Sequence, residues 1–363
     1  HGIGSVRKGS LVMSHITIAG RKIGVGCPPY LIAEMSANHN GDIARAFEII
    51  SMAKRAGADA VKIQTYRPDT ITIDCERPEF RIEGGLWHGR TLYELYEWAH
   101  TPWEWHKELF DHARKEGITI FSSPFDETAI DLLEDLNAPA YKIASFEAVD
   151  LPLIRYAAST GKPLVISTGM ANAEEIAEAL AAARDAGCRE VALLHCVSGY
   201  PAPAADYNLA TIPDMMRRFG TVVGLSDHTL DNVTAIASVA LGAAIIEKHV
   251  TLDRAGGGPD DSFSLEPAEL AALCRDARTA FMALGEAGYQ RRESEKGNVQ
   301  FRRSLYVVRD IRAGEPFTRG NVRSIRPGFG LAPKYMDEVL GRGARCDIKA
   351  GTPLTWDLLN GQT

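Results

Sequence analysis

The sequence predicts an α/β protein: a (β/α)8 TIM barrel with an N-terminal hairpin, followed by a small separate β unit. Three observations carry that reading. Eight short β-prone runs alternate with helical stretches between about residue 30 and residue 285. Such alternation implies parallel strands joined by crossover helices. Eight units in that length match the roughly 250 residues typical of a closed barrel. Finally, the composition changes after Gly285, and a short motif then occurs twice.

The elements follow in chain order. "HITIAGRKIGVG" alternates around Ala19-Gly20 and reads as a hairpin that closes the barrel floor. The eight runs are "LIAEMSA", "DAVKIQT", "ITIFSSP", "AYKIAS", "PLVISTG", "VALLHC", "TVVGLSD" and "AIIEKHV". Helical stretches such as "IARAFEIISMAKRAG" and "NAEEIAEALAAARDAG" lie between them. The second has apolar positions at helical spacing and ends in a stop glycine. An open doubly wound sheet is the alternative, but no GxGxxG follows the first run, which counts against a dinucleotide fold. Residues 66–101, between the second and third runs, are unusually long for a connection and rich in Trp, Tyr, Arg and His. Loops of that length often act as lids or binding loops, and a packed excursion is the plainer reading. Residues 286–301 are polar and read as a linker. From 302 to 363, "DIRAGEPFT" is echoed by "DIKAGTPLT", the mark of a pseudo-symmetric β unit.

Composition bounds the function. Hydrophobic residues make up 45% and charged residues 24%, as in ordinary globular proteins. A net charge of -7 argues against a nucleic-acid or anionic-membrane partner, and no run is long enough for a membrane helix. The six cysteines show no CxxC and no framework spacing, so reduced thiols in a cytoplasmic protein are expected. Residues 1–12 begin with His and lack a signal core; they are set aside as a tag remnant, and the barrel domain is taken from Met13 to Gly285.

The active site of such a barrel lies where its strands end. Those ends carry Glu34, Lys62 with Gln64, Ser122 and Ser123, Lys142 with Ser145, Ser167, Ser198, Ser226 with Asp227 and His228, and Glu247 with His249. Two lysines among serines suit an anionic ligand of phosphate type, because a buried ammonium needs an anion to offset its desolvation. A Lys62–Glu34 ion pair is the structural alternative for one of them. His228 and His249 end the seventh and eighth runs, neighbours in a closed barrel, so both can reach one ion. Each alone is more simply a structural histidine. With no third His or Cys ligand, a closed zinc site is disfavoured and an open Mn2+ or Mg2+ site fits better. His195 reads as a support residue.

Several motifs resemble the sialic acid synthase family: "IAEMSANHNGD", "GADAVKIQTY", "FSSPFD", "AYKIASFE", "ISTGMA", "LLHCVSGYPAP", "GLSDHT", "EKHVTLDR" and "GGPDDSFSLEP". The tail "DIRAGEPFTRGNVRSIRPGFGL" resembles the antifreeze-like (SAF, β-clip) domain that ends those enzymes. The resemblance runs from about Tyr30 to Leu359, and "GLWHGRTLYELYEWAHTPWEWH" looks most like the pseudaminic acid synthases. It implies condensation of phosphoenolpyruvate with an open-chain amino-sugar aldehyde, giving a nine-carbon 2-keto acid and phosphate. For the pseudaminic branch the sugar is 2,4-diacetamido-2,4,6-trideoxy-altrose; N-acetylneuraminate or legionaminate synthesis is the alternative. It further implies His228 and His249 as ligands of a divalent metal, Mn2+ first with Mg2+ or Co2+ as alternatives. Lys62, Ser123, Lys142, Ser145, Ser167, Ser198 and Ser226 would line the phosphoenolpyruvate site. Glu34, Gln64, Glu147, Tyr200, Asp260 and Phe301 would lie near the sugar. Arg326 would reach the active site of the other subunit of a domain-swapped homodimer. Glu147 is the first choice of base and Glu34 the second, with both lysines stabilising the leaving phosphate. A metal-dependent barrel hydrolase would explain the histidines but not the lysines and serines. An ice-binding protein would leave the furnished strand ends without purpose.

Overall fold

The computed structural model describes residues 15–361; the stretch 1–12, read above as a tag remnant, lies outside the described residues. The chain divides into two compact units, one reaching to Gly285 and the other starting at Glu286.

In the first unit, strands β1 (His15–Ile18) and β2 (Arg21–Gly24) form an antiparallel hairpin. Its turn places Ala19 and Gly20 at φ 48° and 80°, the left-handed region that hairpin turns require. Eight parallel strands then close into a barrel: β3 (Tyr30–Glu34), β4 (Ala60–Thr65), β5 (Thr119–Pro124), β6 (Tyr141–Ile143), β7 (Leu164–Ser167), β8 (Val191–Cys196), β9 (Val222–Asp227) and β10 (Ile245–His249). The eight runs read from the sequence are these strands. β10 pairs with β3, and this closes the ring.

Two cores hold the unit together. The larger lies between strands and helices and takes Leu31, Val61, Ile143, Ile166 and Leu193 from the outward faces of the strands. The smaller fills the barrel with inward residues, among them Ile32, Ala60, Phe121, Ala140, Val165, Leu194 and Ile245. Ile16, Ile18 and Ile23 of the hairpin belong to that second core. The hairpin is therefore the floor, as its alternation of buried and exposed residues predicts.

Residues 66–101 form an ordered excursion, with helices at Pro68–Ile71 and Leu92–Ala99. Thr91 and Glu94 make a reciprocal capping box at the start of the second helix.

The second unit pairs β11 (Ser304–Val307) with β12 (Val322–Ile325) around a core of Leu305, Val307, Ile311, Phe317, Val339 and Leu354. The two copies of the repeated motif face each other. Ile311 and Ile348 form an antiparallel bridge, Asp347 accepts from the Ala313 amide, and Asp310 accepts from the Ala350 amide. Residues 286–301, read above as a linker, group with this unit and contain a 3-10 helix at Glu293–Phe301.

Candidate active site at the barrel mouth

Strand parity builds the site. Residues two apart on a strand share a face, and on six of the eight strands an inward apolar residue of the inner core is followed by an inward polar one. Ile32 is followed by Glu34, Ala60 by Lys62 and Gln64, Phe121 by Ser123, Ala140 by Lys142, Val165 by Ser167, and Ile245 by Glu247 and His249. A polar layer therefore lies above an apolar one. The register aligns it: Glu34 is level with His249 on one side and Lys62 on the other, and Ser226 is level with Glu247 and Cys196.

Both lysines are buried, and both are ion-paired. Lys62 lies 2.5 Å from Glu34 and 3.9 Å from Glu247, and it donates to Ser123 Oγ at 3.0 Å. Lys142 donates to Glu247 Oε1 at 3.2 Å, and Ser226 Oγ donates to the same oxygen at 3.2 Å. Burial acts to lower the pKa of Lys62, but Glu247 and Glu34 outweigh it and raise it. Lys142 stays lowered by burial, with Glu247 opposing and Lys62 adding to the fall. Burial raises the Glu34 pKa against the pull of Lys62. Glu247 is lowered, because Lys142 and Lys62 together overcome its burial. Lys142 is the cation with less compensating charge and thus the better placed to gain from a bound anion.

Besides Glu34 Oε2 and Glu247 Oε2, which are ion-paired with Lys62, four buried polar atoms of the expected site have no hydrogen-bond partner: Glu147 Oε2, Ser167 Oγ, Ser198 Oγ and His249 Nδ1. Buried polar groups are rarely left so, and their concentration in one place is the mark of a ligand site. Gly169 adds a second sign. A Cβ there would lie 2.8 Å from Ser145 Oγ and nearer still to Ser198 Oγ, and its amide donates to Ser145 Oγ at 3.1 Å. The backbone itself forms part of the cradle.

His228 and His249 lie with ring centroids 5.4 Å apart. His228 Nδ1 lies 2.8 Å from Val197 O. A carbonyl can only accept, so Nδ1 carries a proton, and Nε2 is the nitrogen left for an ion when the ring is neutral. Burial, helped by His228, holds His249 well below the usual histidine range, so it is neutral. Among the described residues no group of three or more His, Cys, Asp and Glu side chains is disposed to hold a metal. Burial lowers His228 too, but Cys196, the Val197 carbonyl and Glu247 outweigh it and raise its pKa. Two adjacent imidazoles fit an ion whose remaining positions are filled by water and substrate, not a closed structural centre.

Aromatic rings wall the histidines. Tyr200 lies 4.4 Å from His228 and 5.3 Å from Phe263, and Phe263 lies 5.1 Å from His249. Gln64 donates to Glu34 Oε1 and Ser36 Oγ, each at 3.1 Å, and Ser36 in turn donates to Asp260. Burial pushes Asp260 up to about 6 and Glu147 up to about 7.

All the strand-end residues named from the sequence except Ser122 and Asp227 face this mouth. Ser122 turns outward to Thr65 Oγ1 (2.6 Å) and Ile63 O (3.0 Å), and Asp227 turns outward to Lys248 (2.9 Å). Phe301 and Arg326 belong to the second unit, where Phe301 is 53% exposed. Gly169 and Ser36 were not assigned from sequence, and Glu247, named there at a strand end, was given no role; its place two residues before His249 puts it on the same face, whereas nothing in the sequence marks the other two. His195 bonds Tyr207 O and so supports the wall from outside. The six cysteines are unbonded to one another, and among the described residues no helix is long and apolar enough to cross a membrane.

Residues 49–289 match the NeuB family and residues 302–360 the SAF domain. The chain is 44% identical to the pseudaminic acid synthase of Campylobacter jejuni, over 90% of this chain and 95% of that one. It is equally 44% identical to the pseudaminic acid synthase of Helicobacter pylori, over 91% and 97%. In solved structures, the N-acetylneuraminic acid synthetase of Leptospira borgpetersenii superposes with a TM-score of 0.71 at 31% identity, covering 80% of this chain and 96% of that one. A closed barrel with a two-lysine, two-histidine mouth, joined to an SAF domain and matched along nearly its full length, places this chain in the NeuB family.

Proposed function

We propose that the chain condenses phosphoenolpyruvate with open-chain 2,4-diacetamido-2,4,6-trideoxy-altrose, forming pseudaminic acid and inorganic phosphate. The observation that carries the reading is the buried Lys62–Lys142 pair beside the unpartnered serine hydroxyls. That arrangement suits a small dianion or trianion and little else. The two synthases at 44% identity support the choice of sugar.

In this reading Lys62 and Lys142 neutralise the phosphate and carboxylate of phosphoenolpyruvate. Ser123, Ser145, Ser167, Ser198 and Ser226 donate hydrogen bonds to their oxygens. His228 and His249 hold a divalent ion, Mn2+ foremost, which when bound polarises the sugar aldehyde. Glu34, Gln64, Tyr200 and Asp260 orient the sugar so that its C1 meets C3 of phosphoenolpyruvate. The new C–C bond leaves a cationic centre at C2, and the aldehyde oxygen takes a proton. Water adds to C2 and gives its proton to Glu147, whose pKa of about 7 suits a base near neutrality. The C2–O bond to phosphorus then breaks as the C2 hydroxyl passes its proton to the leaving phosphate, and the proton left on Glu147 offsets the one the aldehyde oxygen took, so that phosphate and the 2-keto acid remain.

We further propose a homodimer in which each second unit, with Phe301 and Arg326, serves the barrel of its partner. Leu86, Phe146, Val149, Met170, Leu230 and Val233 are exposed on loops and helix starts that follow the strand ends. Such an apolar rim around a polar mouth fits a docking surface.

The test is phosphate release from phosphoenolpyruvate with three sugars: the diacetamido-altrose, its legionaminate counterpart and N-acetylmannosamine. Turnover of the first at least tenfold above the others is expected. A preference for either of the others overturns the choice of sugar, and silence with all three overturns the reaction.

A further inference from the structure

One side chain of the excursion at residues 66–101 joins the aromatic wall of the site. Trp87 is half-buried, and its Nε1 donates to Pro259 O at 3.0 Å. Its ring lies 5.9 Å from that of Tyr200, which itself lies 4.4 Å from His228. Pro259 immediately precedes Asp260, whose carboxylate faces Ser36 and Gln64 inside the mouth. Trp87 therefore ties the excursion to the loop carrying Asp260 and extends the aromatic wall one ring outward from the histidines. Arg90 points elsewhere: it is exposed, with its guanidinium 4.4 Å from the Trp98 ring.

We propose that Trp87 selects the sugar, its indole forming the outer apolar wall against which the deoxygenated C6 end of the substrate packs. This deepens, and rests on, the reading of the reaction given above. With the aldehyde carbon at the histidines, an extended six-carbon chain spans roughly 6 Å from C1 to C6, from ordinary bond lengths. That reach passes the Tyr200 ring, 4.4 Å from His228, and carries C6 toward Trp87, whose ring lies 5.9 Å beyond Tyr200. An indole face welcomes a methyl group. A hydroxymethyl group in the same place would lose its water without gaining a partner, since the one polar atom of Trp87 is committed to Pro259. A single methyl-sized difference in such a pocket is worth about 10- to 200-fold in kcat/KM.

The test compares wild type, Trp87→Ala, Trp87→Phe and Arg90→Ala on two sugars. One is 2,4-diacetamido-2,4,6-trideoxy-altrose and the other the same sugar with a hydroxyl at C6. Trp87→Ala should lower kcat/KM for the 6-deoxy sugar by about 10- to 200-fold. The preference over the 6-hydroxy sugar should shrink with it. The KM for phosphoenolpyruvate and its binding by calorimetry should stay within about twofold, which separates loss of selection from loss of fold. Trp87→Phe should keep most of the preference, because it keeps an aromatic face, and Arg90→Ala should keep all of it. Parallel losses for sugar and phosphoenolpyruvate, or an unchanged preference between the two sugars in Trp87→Ala, overturn the proposal. The wild-type measurement judges the reaction separately: if it turns over neither sugar, that reading falls and this one with it.

Discussion

At position 169 a hydrogen is the largest substituent that fits, since a methyl group there would press on the hydroxyls of Ser145 and Ser198. Gly169→Ala should leave the barrel folded, because the crowded atoms are side-chain oxygens at a cavity edge. The KM for phosphoenolpyruvate should rise by about tenfold or more, the scale of one or two lost hydrogen bonds to a charged ligand. Steady-state kinetics decides this, and an unchanged KM removes Gly169 from the anion cradle. Glu147 supplies a prediction with a pH sign. Its pKa is pushed up to about 7 by burial, from a usual value of 4.5. As a base it must be ionised, so kcat/KM should fall as pH drops through about 7. Glu147→Gln should be slower by about 10²- to 10⁴-fold and lose that limb. The stability sign is the opposite of that for a paired carboxylate. The folded state binds the proton more tightly than the unfolded one, so wild-type stability falls as pH rises from about 4.5 to 7. At pH 8 the Glu147→Gln chain should be more stable than wild type, by on the order of 3 kcal/mol for a shift of that size. Denaturant melts at pH 4 and pH 8 measure it; an equal difference at both would mean that Glu147 is not held neutral by the fold.

Lys248 illustrates what a strand does with adjacent residues. Glu247 and His249 face the mouth, whereas Lys248 faces outward and is 2% exposed even so. Its ammonium donates to Asp227 Oδ2 at 2.9 Å and Thr229 O at 2.8 Å, and also to Asp231 O. It thereby pins the loop after β9, and with it His228, to β10. Lys248→Met strands a buried Asp227 carboxylate and should cost about 3–5 kcal/mol. Pairing it with Asp227→Leu should recover most of that loss in a denaturant melt while leaving His228 less well held. Manganese titrated into the double variant should then bind about 10- to 100-fold more weakly, as when supporting partners of a ligand are lost. Unchanged affinity would mean that the loop holds itself. A lysine at a strand end reads from sequence as an active-site cation, and three of them stood near strand ends. Only alternation separates Lys62 and Lys142 from Lys248. The same alternation made the strands and most of the inward residues legible, because on most strands an inward apolar residue leads into the inward polar ones. The excursion was less legible. Its length drew the eye, but its helix was signalled only by the "TLYE" capping box at Thr91–Glu94. Which of its polar and aromatic residues turns inward depends on a tertiary contact, Trp87 to Pro259, between residues 172 positions apart. No local pattern encodes that.

At the scale of the whole molecule, two units with separate cores invite the question of what each can do alone. The inner and outer barrel cores draw only on residues up to Phe281, and the third core only on residues from Leu305 onward. The internal repeat made the second unit legible, since its two copies bond reciprocally through Asp310 and Asp347. A chain ending at Gly285 should therefore fold and bind phosphoenolpyruvate. If the second unit completes the partner's site, that chain should make no product, because Arg326 is missing from every mouth. Arg326 follows Ile325, the last residue of β12, and precedes Pro327, whose fixed φ stiffens the backbone there. Its planar guanidinium presents donors in a rigid fork suited to hydrogen-bonding an acetamido oxygen. The decisive experiment mixes two inactive chains. Arg326→Ala leaves a sound barrel and a defective second unit; His228→Ala leaves the reverse. In a swapped homodimer, random exchange puts half of the dimers in mixed form. One mouth of each mixed dimer then combines an intact barrel with an intact Arg326. One quarter of all mouths are thus complete, and activity should recover to about a quarter of wild type. Light scattering and a mass-tagged chain would establish that exchange has occurred. No recovery after exchange would place Arg326 within its own chain's mouth, or outside the reaction altogether.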